Sequence, residues 1–300
     1  MATHPGGLLL VLGALATSAC HPGGAEAKRL LEACEGGDAV ACNEAGLKLF
    51  KGEYVLRDRP RAASLFERSC KAGVAQGCAR LGDMYQEAEG VEGDSTRAMD
   101  LYQRACEGGA MEGCTSLAIL YREGGTVAQD LNRAAALFEQ ACDGGQASAC
   151  SQLAALYEAG EGVERDQGRA AGLFQQACDG GDMAGCAELG RLYAAGAGVA
   201  RDAARALDLY QQACDGEAAA GCFHLGLIYA TGDGVAQDLE RAVGLYRDAC
   251  FDGHGEACYR LGMLRLNGPD VVREPDEAAV WIRRACRRGY AEACPKEESS

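Results

Sequence analysis

Positive charge is scarce in this chain. Lys and Arg number 29 against 44 Asp and Glu, a formal net charge of −15. So acidic a composition argues against binding nucleic acid or an anionic membrane, both of which want a basic surface. Aromatics are also few, at 6% with one Trp, so the 48% of hydrophobic residues must build a core rich in Ala and Leu. Six Pro and little Ser leave small scope for long disordered linkers. Beyond the amino terminus no run of about 18 apolar residues exists, which excludes a multi-span membrane domain. Four His, out of register with the rest, cannot complete tetrahedral zinc sites, and the Cys pairs lack the short C-x2-4-C spacing. No metal and no cofactor are expected.

Cysteine is in excess, with 17 in 300 residues. Setting Cys20 aside, the rest form two series, at 34, 70, 106, 142, 178, 214, 250 and 286 and at 42, 78, 114, 150, 186, 222, 258 and 294. Each series steps by 36, giving eight C-x7-C pairs. Free thiols in such number would fare poorly in oxidising surroundings. Pairing across the longer gap strands Cys34 and Cys294. The short pairing uses every cysteine: Cys34–Cys42, Cys70–Cys78, Cys106–Cys114, Cys142–Cys150, Cys178–Cys186, Cys214–Cys222, Cys250–Cys258 and Cys286–Cys294. Each closes a small loop, worth about 2–3 kcal/mol in the chain-entropy model.

Other residues share the period. Val stands at 55, 91, 127, 163, 199, 235 and 271; Asp stands at 58, 94, 130, 166, 202 and 238, with Glu274 in the seventh place. In the stretch from Cys150 to Gly181, Leu153 and Tyr157 recur at helical spacing until Gly160 and Gly162 stop the helix. Val163 has no polar task and plugs the turn. Asp166 is placed to cap the next helix, whose buried stripe is Ala170, Leu173, Phe174 and Ala177. The Arg three residues after each Asp reads as its surface ion-pair partner. The pattern predicts seven helix-turn-helix units between about Gly37 and Arg288, a lone helix over Ala25–Glu35, and a stub at Tyr290–Pro295 closing the far end. Units of this length cannot bury a face alone and must stack.

Residues 8–19 form a short apolar stretch of signal-peptide length ending in Thr17-Ser18-Ala19-Cys20. It resembles a bacterial lipobox, although no Lys or Arg precedes it and Thr17 stands where Leu is usual. The resemblance implies a cleaved leader (1–19), acylation of Cys20, a short tether (20–25), a single repeat domain (26–295) and a tail (296–300). His21 after the Cys implies sorting to the outer membrane by the same resemblance.

Leu-Gly-x-x-Tyr (Leu81, Gly82, Tyr85; Leu189, Gly190, Tyr193; Leu225, Gly226, Tyr229), then Gly-x-Gly-Val, Asp-x-x-Arg-Ala and the Cys pair resemble the Sel-one-like repeat family, a relative of tetratricopeptide repeats. The C-x7-C staple is similar to its cysteine-rich, secreted Hcp-type branch. The resemblance implies an all-α solenoid, a right-handed superhelix of paired helices, with a concave groove lined by the first helix of each unit. Its implied function is an extracytoplasmic scaffold binding peptide or protein partners, with the membrane reached through acylated Cys20 and no nucleic acid bound. The family also implies, as a rival, slow hydrolysis of β-lactams or peptidoglycan, and a ligand-free envelope spacer is a further reading. No S-x-x-K, S-D-N, K-T-G or G-x-S-x-G motif supplies a nucleophile, so no catalytic residue is assigned.

The packing of the related repeats implies which first-helix residues face the groove. Ser151, Ala155 and Glu158, then Ala187, Arg191 and Ala194, are small or charged. Phe223, Leu227, Tyr259, Met263 and Leu266 are expected to form one apolar patch, with Asn267 at its edge. The arginines at 283, 284, 287 and 288 suit either an acidic partner or the dipole at a helix end.

Overall fold

A computed structural model describes residues 22–125 and 127–294. The leader, Cys20 and the tail 296–300 lie outside the described residues. The rest is all-helical: fifteen α-helices and one short 3-10 turn, with no strand among the described residues. The helices fall into two compact units, divided between Asp130 and Leu131. The first contains α1 (Pro22–Glu35), α2 (Ala39–Lys51), α3 (Arg59–Lys71), α4 (Ala75–Gln86), α5 (Ser95–Glu107) and α6 (Met111–Glu123). The second contains α7 (Leu131–Asp143), α8 (Ala147–Ala159), α9 (Gln167–Asp179), α10 (Met183–Ala195), α11 (Ala203–Asp215), α12 (Ala219–Thr231), α13 (Leu239–Phe251), α14 (Gly255–Asn267), α15 (Pro275–Arg287) and the turn Ala291–Ala293. Within each unit every helix packs on the next in a solenoid of helix pairs. Even-numbered helices also meet each other, α4 with α6 in the first unit and α10 with α8 and α12 in the second, so within each unit they line one face.

Why these residues form pairs is visible in their contacts. The Gly of Leu-Gly-x-x-Tyr is a hole for an aromatic ring twenty residues on: a Cβ at Gly82 would strike Tyr102, at Gly190 Tyr210, and at Gly226 Tyr246. Those rings are buried and fix how closely the two helices of a pair approach. The turn between them has its own glycine requirement. Gly162 sits at φ +68°, and a Cβ there would overlap the backbone of Leu131.

The second helix of a pair starts on its Asp. The Oδ1 of Asp58, Asp94, Asp166, Asp202 and Asp238 accepts the N–H of the residue three later, at 2.9–3.0 Å. Glu274 makes no such cap. With the carboxylate accepting from the backbone, Asp94, Asp166, Asp202 and Asp238 form no ion pair with the Arg three residues on. The Arg instead reaches backward. Arg97, Arg169, Arg205 and Arg241 lie 4.0–5.2 Å from the ring centroids of Tyr85, Tyr157, Tyr193 and Tyr229. Their guanidiniums meet Glu67, Glu139, Gln175 and Gln211, each thirty residues earlier on the preceding second helix. The periodic Val is half-buried in six units, but Val271 is 63% exposed and Val272, at 2%, takes its place. Pro269 replaces the usual turn there, and its carbonyl accepts the Val272 N–H.

The eight bridges of the structure are the C-x7-C ones, from Cys34–Cys42 to Cys286–Cys294. Seven tie the second helix of one pair to the first helix of the next, Cys34–Cys42 among them through α1; the eighth ties α15 to its closing turn. Cys34, Cys70, Cys114, Cys150, Cys186 and Cys258 are almost fully buried, so the staples run through the core.

Candidate partner-binding site

Within the second unit, the even-helix face is apolar at α12 and α14. A cavity of about 500 Å³ opens there, walled by Leu227, Tyr246, Tyr259, Met263, Leu264 and Tyr290. Tyr259 and Tyr290 stand 5.2 Å apart between ring centroids. Thr231, Arg260, Asn267 and Glu292 supply its polar part. Most of these polar groups are already engaged. Arg260 Nε and Nη2 donate to Glu256 Oε1 at 3.0 and 2.8 Å, and Tyr290 donates to Glu292 at 2.9 Å. Thr231 donates to the Leu227 carbonyl at 2.9 Å. Asn267 is exposed with no such partner, leaving an amide free to bond a peptide backbone. Burial pushes the Tyr246 hydroxyl up to about 12, so it stays a neutral donor.

Of the residues expected from sequence, Leu227, Tyr259, Met263 and Asn267 line this cavity. Two do not. Phe223 is 5% exposed and packs beneath the patch, its ring 4.2 Å from that of His254 and 6.1 Å from that of Tyr246. Leu266 is 38% exposed and does not line the cavity. Phe223, in the second turn of α12, thus packs against His254 of the next helix pair, whereas Leu227, one turn further along, lines the cavity. Tyr246, Leu264, Arg260 and Tyr290 were not anticipated. Tyr246 comes from a second helix and was legible through its Gly226 hole; Tyr290 comes from the closing turn, which has no counterpart in the other units.

Further back on the same face the residues are charged. Arg191 Nη2 lies 2.7 Å from both carboxylate oxygens of Glu158, and Nε lies 2.7 Å from Glu188. Beside them His224 stacks on Tyr210 at 4.8 Å. Burial lowers the basicity of His224 and of His254. Among the described residues no three His, Cys, Asp or Glu side chains converge as a metal-binding group. None of the helices described is long and apolar enough to cross a membrane.

Comparison with known proteins bears on this arrangement. The family model described as Sel1 repeat matches seven times, at residues 39–74, 75–109, 112–146, 147–182, 184–217, 219–254 and 255–290. No curated protein matches the chain. Among solved structures, a protective antigen of uropathogenic Escherichia coli displaying an SLR fold is 28% identical with a TM-score of 0.73. That match covers 89% of this chain and 57% of the antigen, so the chain spans little more than half the antigen's length. A Sel1 repeat protein from Oxalobacter formigenes gives 0.74 at 21% identity, covering 86% of this chain and 99% of that one. An immunity protein from Pseudomonas aeruginosa gives 0.53 at 22% identity, over 74% and 84% of the two chains.

Proposed function

The chain belongs to the Sel1 repeat family, and from that premise we propose that it is an extracytoplasmic scaffold holding a peptide or protein segment on the groove face of its second unit. The observation that carries this reading is the cavity on α12 and α14. Three Tyr, a Met and two Leu line it, and the Asn267 amide at its edge has no internal partner. An apolar, aromatic slot beside a free amide suits an extended segment: side chains fill the slot and the amide bonds the backbone. Eight disulfides support residence outside the cytoplasm, where such bonds persist. The lipobox-like sequence before Cys20 supports anchoring by acyl chains.

The test is selection of a random peptide library on the purified, oxidised chain. Enriched sequences should carry apolar or aromatic anchors. Tyr259→Ala with Met263→Ser should weaken their binding at least tenfold while leaving helicity and melting nearly unchanged, since both side chains are only half-buried. No enrichment, or equal binding by the double variant, would reject the groove as the site.

A further inference from the structure

The repeats also provide an internal standard for the outer face of α15. Position for position, Arg283 stands where earlier second helices carry Glu67, Gln103, Glu139, Gln175, Gln211 and Arg247. Arg287 stands where they carry Lys71, Glu107, Asp143, Asp179, Asp215 and Phe251. Arg288 replaces Ala72, then four Gly, then Asp252. From α5 to α11 these positions are acidic or neutral in every helix, and in α15 all are cationic. Arg283, Arg287 and Arg288 are exposed. Among the described residues, none of the cluster pairs with a carboxylate; Arg284 lies over the rings of Phe251 and Trp281, at 4.6 and 5.8 Å. Arg283 and Arg287, and Arg284 and Arg288, repel each other at i,i+4. The helix dipole rewards cations only in the last turn and does not account for Arg283.

The contacts between earlier units say what this face is shaped to meet. At the Arg283 position, Glu67, Glu139, Gln175 and Gln211 each accept from an arginine of the following second helix. At Arg247 the residue types are already exchanged in sequence, with Glu277 thirty residues on instead of the usual Arg, while the Arg247 side chain itself meets Asp248 at 3.7 Å. By the same spacing, Arg283 calls for a carboxylate on a helix lying against α15. Beyond the turn Ala291–Ala293 no described residue covers that face, where Val280 is 53% exposed among the four arginines.

We propose that the outer face of α15 docks an acidic amphipathic helix of a partner protein, which lies where a further repeat would lie. Carboxylates on one stripe of that helix pair with Arg283, Arg287 and Arg288, and small apolar residues beside them cover Val280. This surface is separate from the groove cavity and does not depend on it.

Trp281, the chain's one tryptophan, lies beneath Arg284 and reports docking directly. The probe is a synthetic helical peptide of about 20 residues, without Trp or Tyr, carrying Glu at i, i+4 and i+7 with Ala and Leu beside them. Titrated into the full oxidised chain, it should change the Trp281 emission saturably, with affinity falling as salt rises. The same peptide with Gln for Glu should bind at least tenfold more weakly. Arg283→Gln with Arg287→Asp restores the residues of α9 and α11 at these positions, and should cost at least tenfold with unchanged helicity. Equal binding of the Gln peptide would overturn the proposal without any variant. So would equal binding of unstructured polyglutamate, a response to anionic phospholipid vesicles but not to the helix, or a folded variant that binds as the wild type does.

Discussion

At the residue scale, His224 and His254 make the fold less stable as pH falls. His254 Nδ1 accepts the N–H of Ala257, 3.2 Å away, and so caps α14 as an acceptor. Its ring is stacked on buried Phe223, whose other edge meets His224 at 5.2 Å. Burial, the largest influence on both, lowers their basicity from the ordinary 6.5; Glu256 opposes it at His254, and Glu188 and Glu256 oppose it at His224, while His254 and Arg191 add to it there. Between the folded value and 6.5 the unfolded chain therefore holds more protons. Stability is complete above 6.5 and is lost as pH falls from 6.5 through the lowered value. Melting temperature should drop between pH 7.5 and pH 5 in circular dichroism. His254→Asn keeps a capping acceptor without a titrating ring and should flatten that slope; an unchanged slope would remove His254 as a cause. Phe223→Ala leaves a hole in the same stack and should cost about 3–5 kcal/mol in denaturant unfolding. A loss below about 1 kcal/mol would mean the ring is not core.

At the element scale, the legible part of the sequence was whatever repeats. Helix pairs, their ends at Asp and Gly, and the bridging of Cys to Cys all follow from period and local chemistry, because each is settled within a few residues of itself. What a single period cannot display is the partner of a side chain that crosses between units. The Asp-x-x-Arg spacing suggests a pair on one turn, yet the cap consumes the carboxylate and the guanidinium travels to a Tyr and an acceptor thirty residues back. For that reason Arg241→Ala should destabilise by about 0.5–1 kcal/mol, through the lost stacking on Tyr229. Asp238→Ala should cost about 1 kcal/mol through the lost cap. Thermal unfolding of both variants separates these contributions: if the Arg and Asp acted as a side-chain pair, the double variant would cost no more than either single one. Similarly, Leu227, Tyr259, Met263 and Asn267 line the cavity, but Phe223 and Leu266 do not. Leu227 lines the cavity, whereas Phe223, one helical turn earlier, is covered by the rings of Tyr246 and His254.

At the scale of the whole molecule, stability is a sum of small units and their neighbours, each pinned by a ring worth about 2–3 kcal/mol. Reductant should therefore lower the melting temperature markedly, and peptide mapping of the oxidised chain should recover only bridges eight residues apart; a Cys42–Cys70 fragment would contradict the structure. Attachment is tested separately. The native chain should partition into detergent, and Cys20→Ser should send it to the aqueous phase or leave it uncleaved. Recovery of the native chain in the aqueous phase, starting at His21, would rule out anchoring.

The locality of the bridges has a consequence for heredity. Each cysteine finds its mate eight positions away, so no bridge spans a whole 36-residue period. Recombination that deletes or duplicates one period, for instance residues 151–186, removes or adds a complete pair and leaves every other pair intact. Length can then vary between descendants by whole periods without creating an orphan thiol or a choice of mispairings. A protein cross-linked between distant segments would have no such freedom.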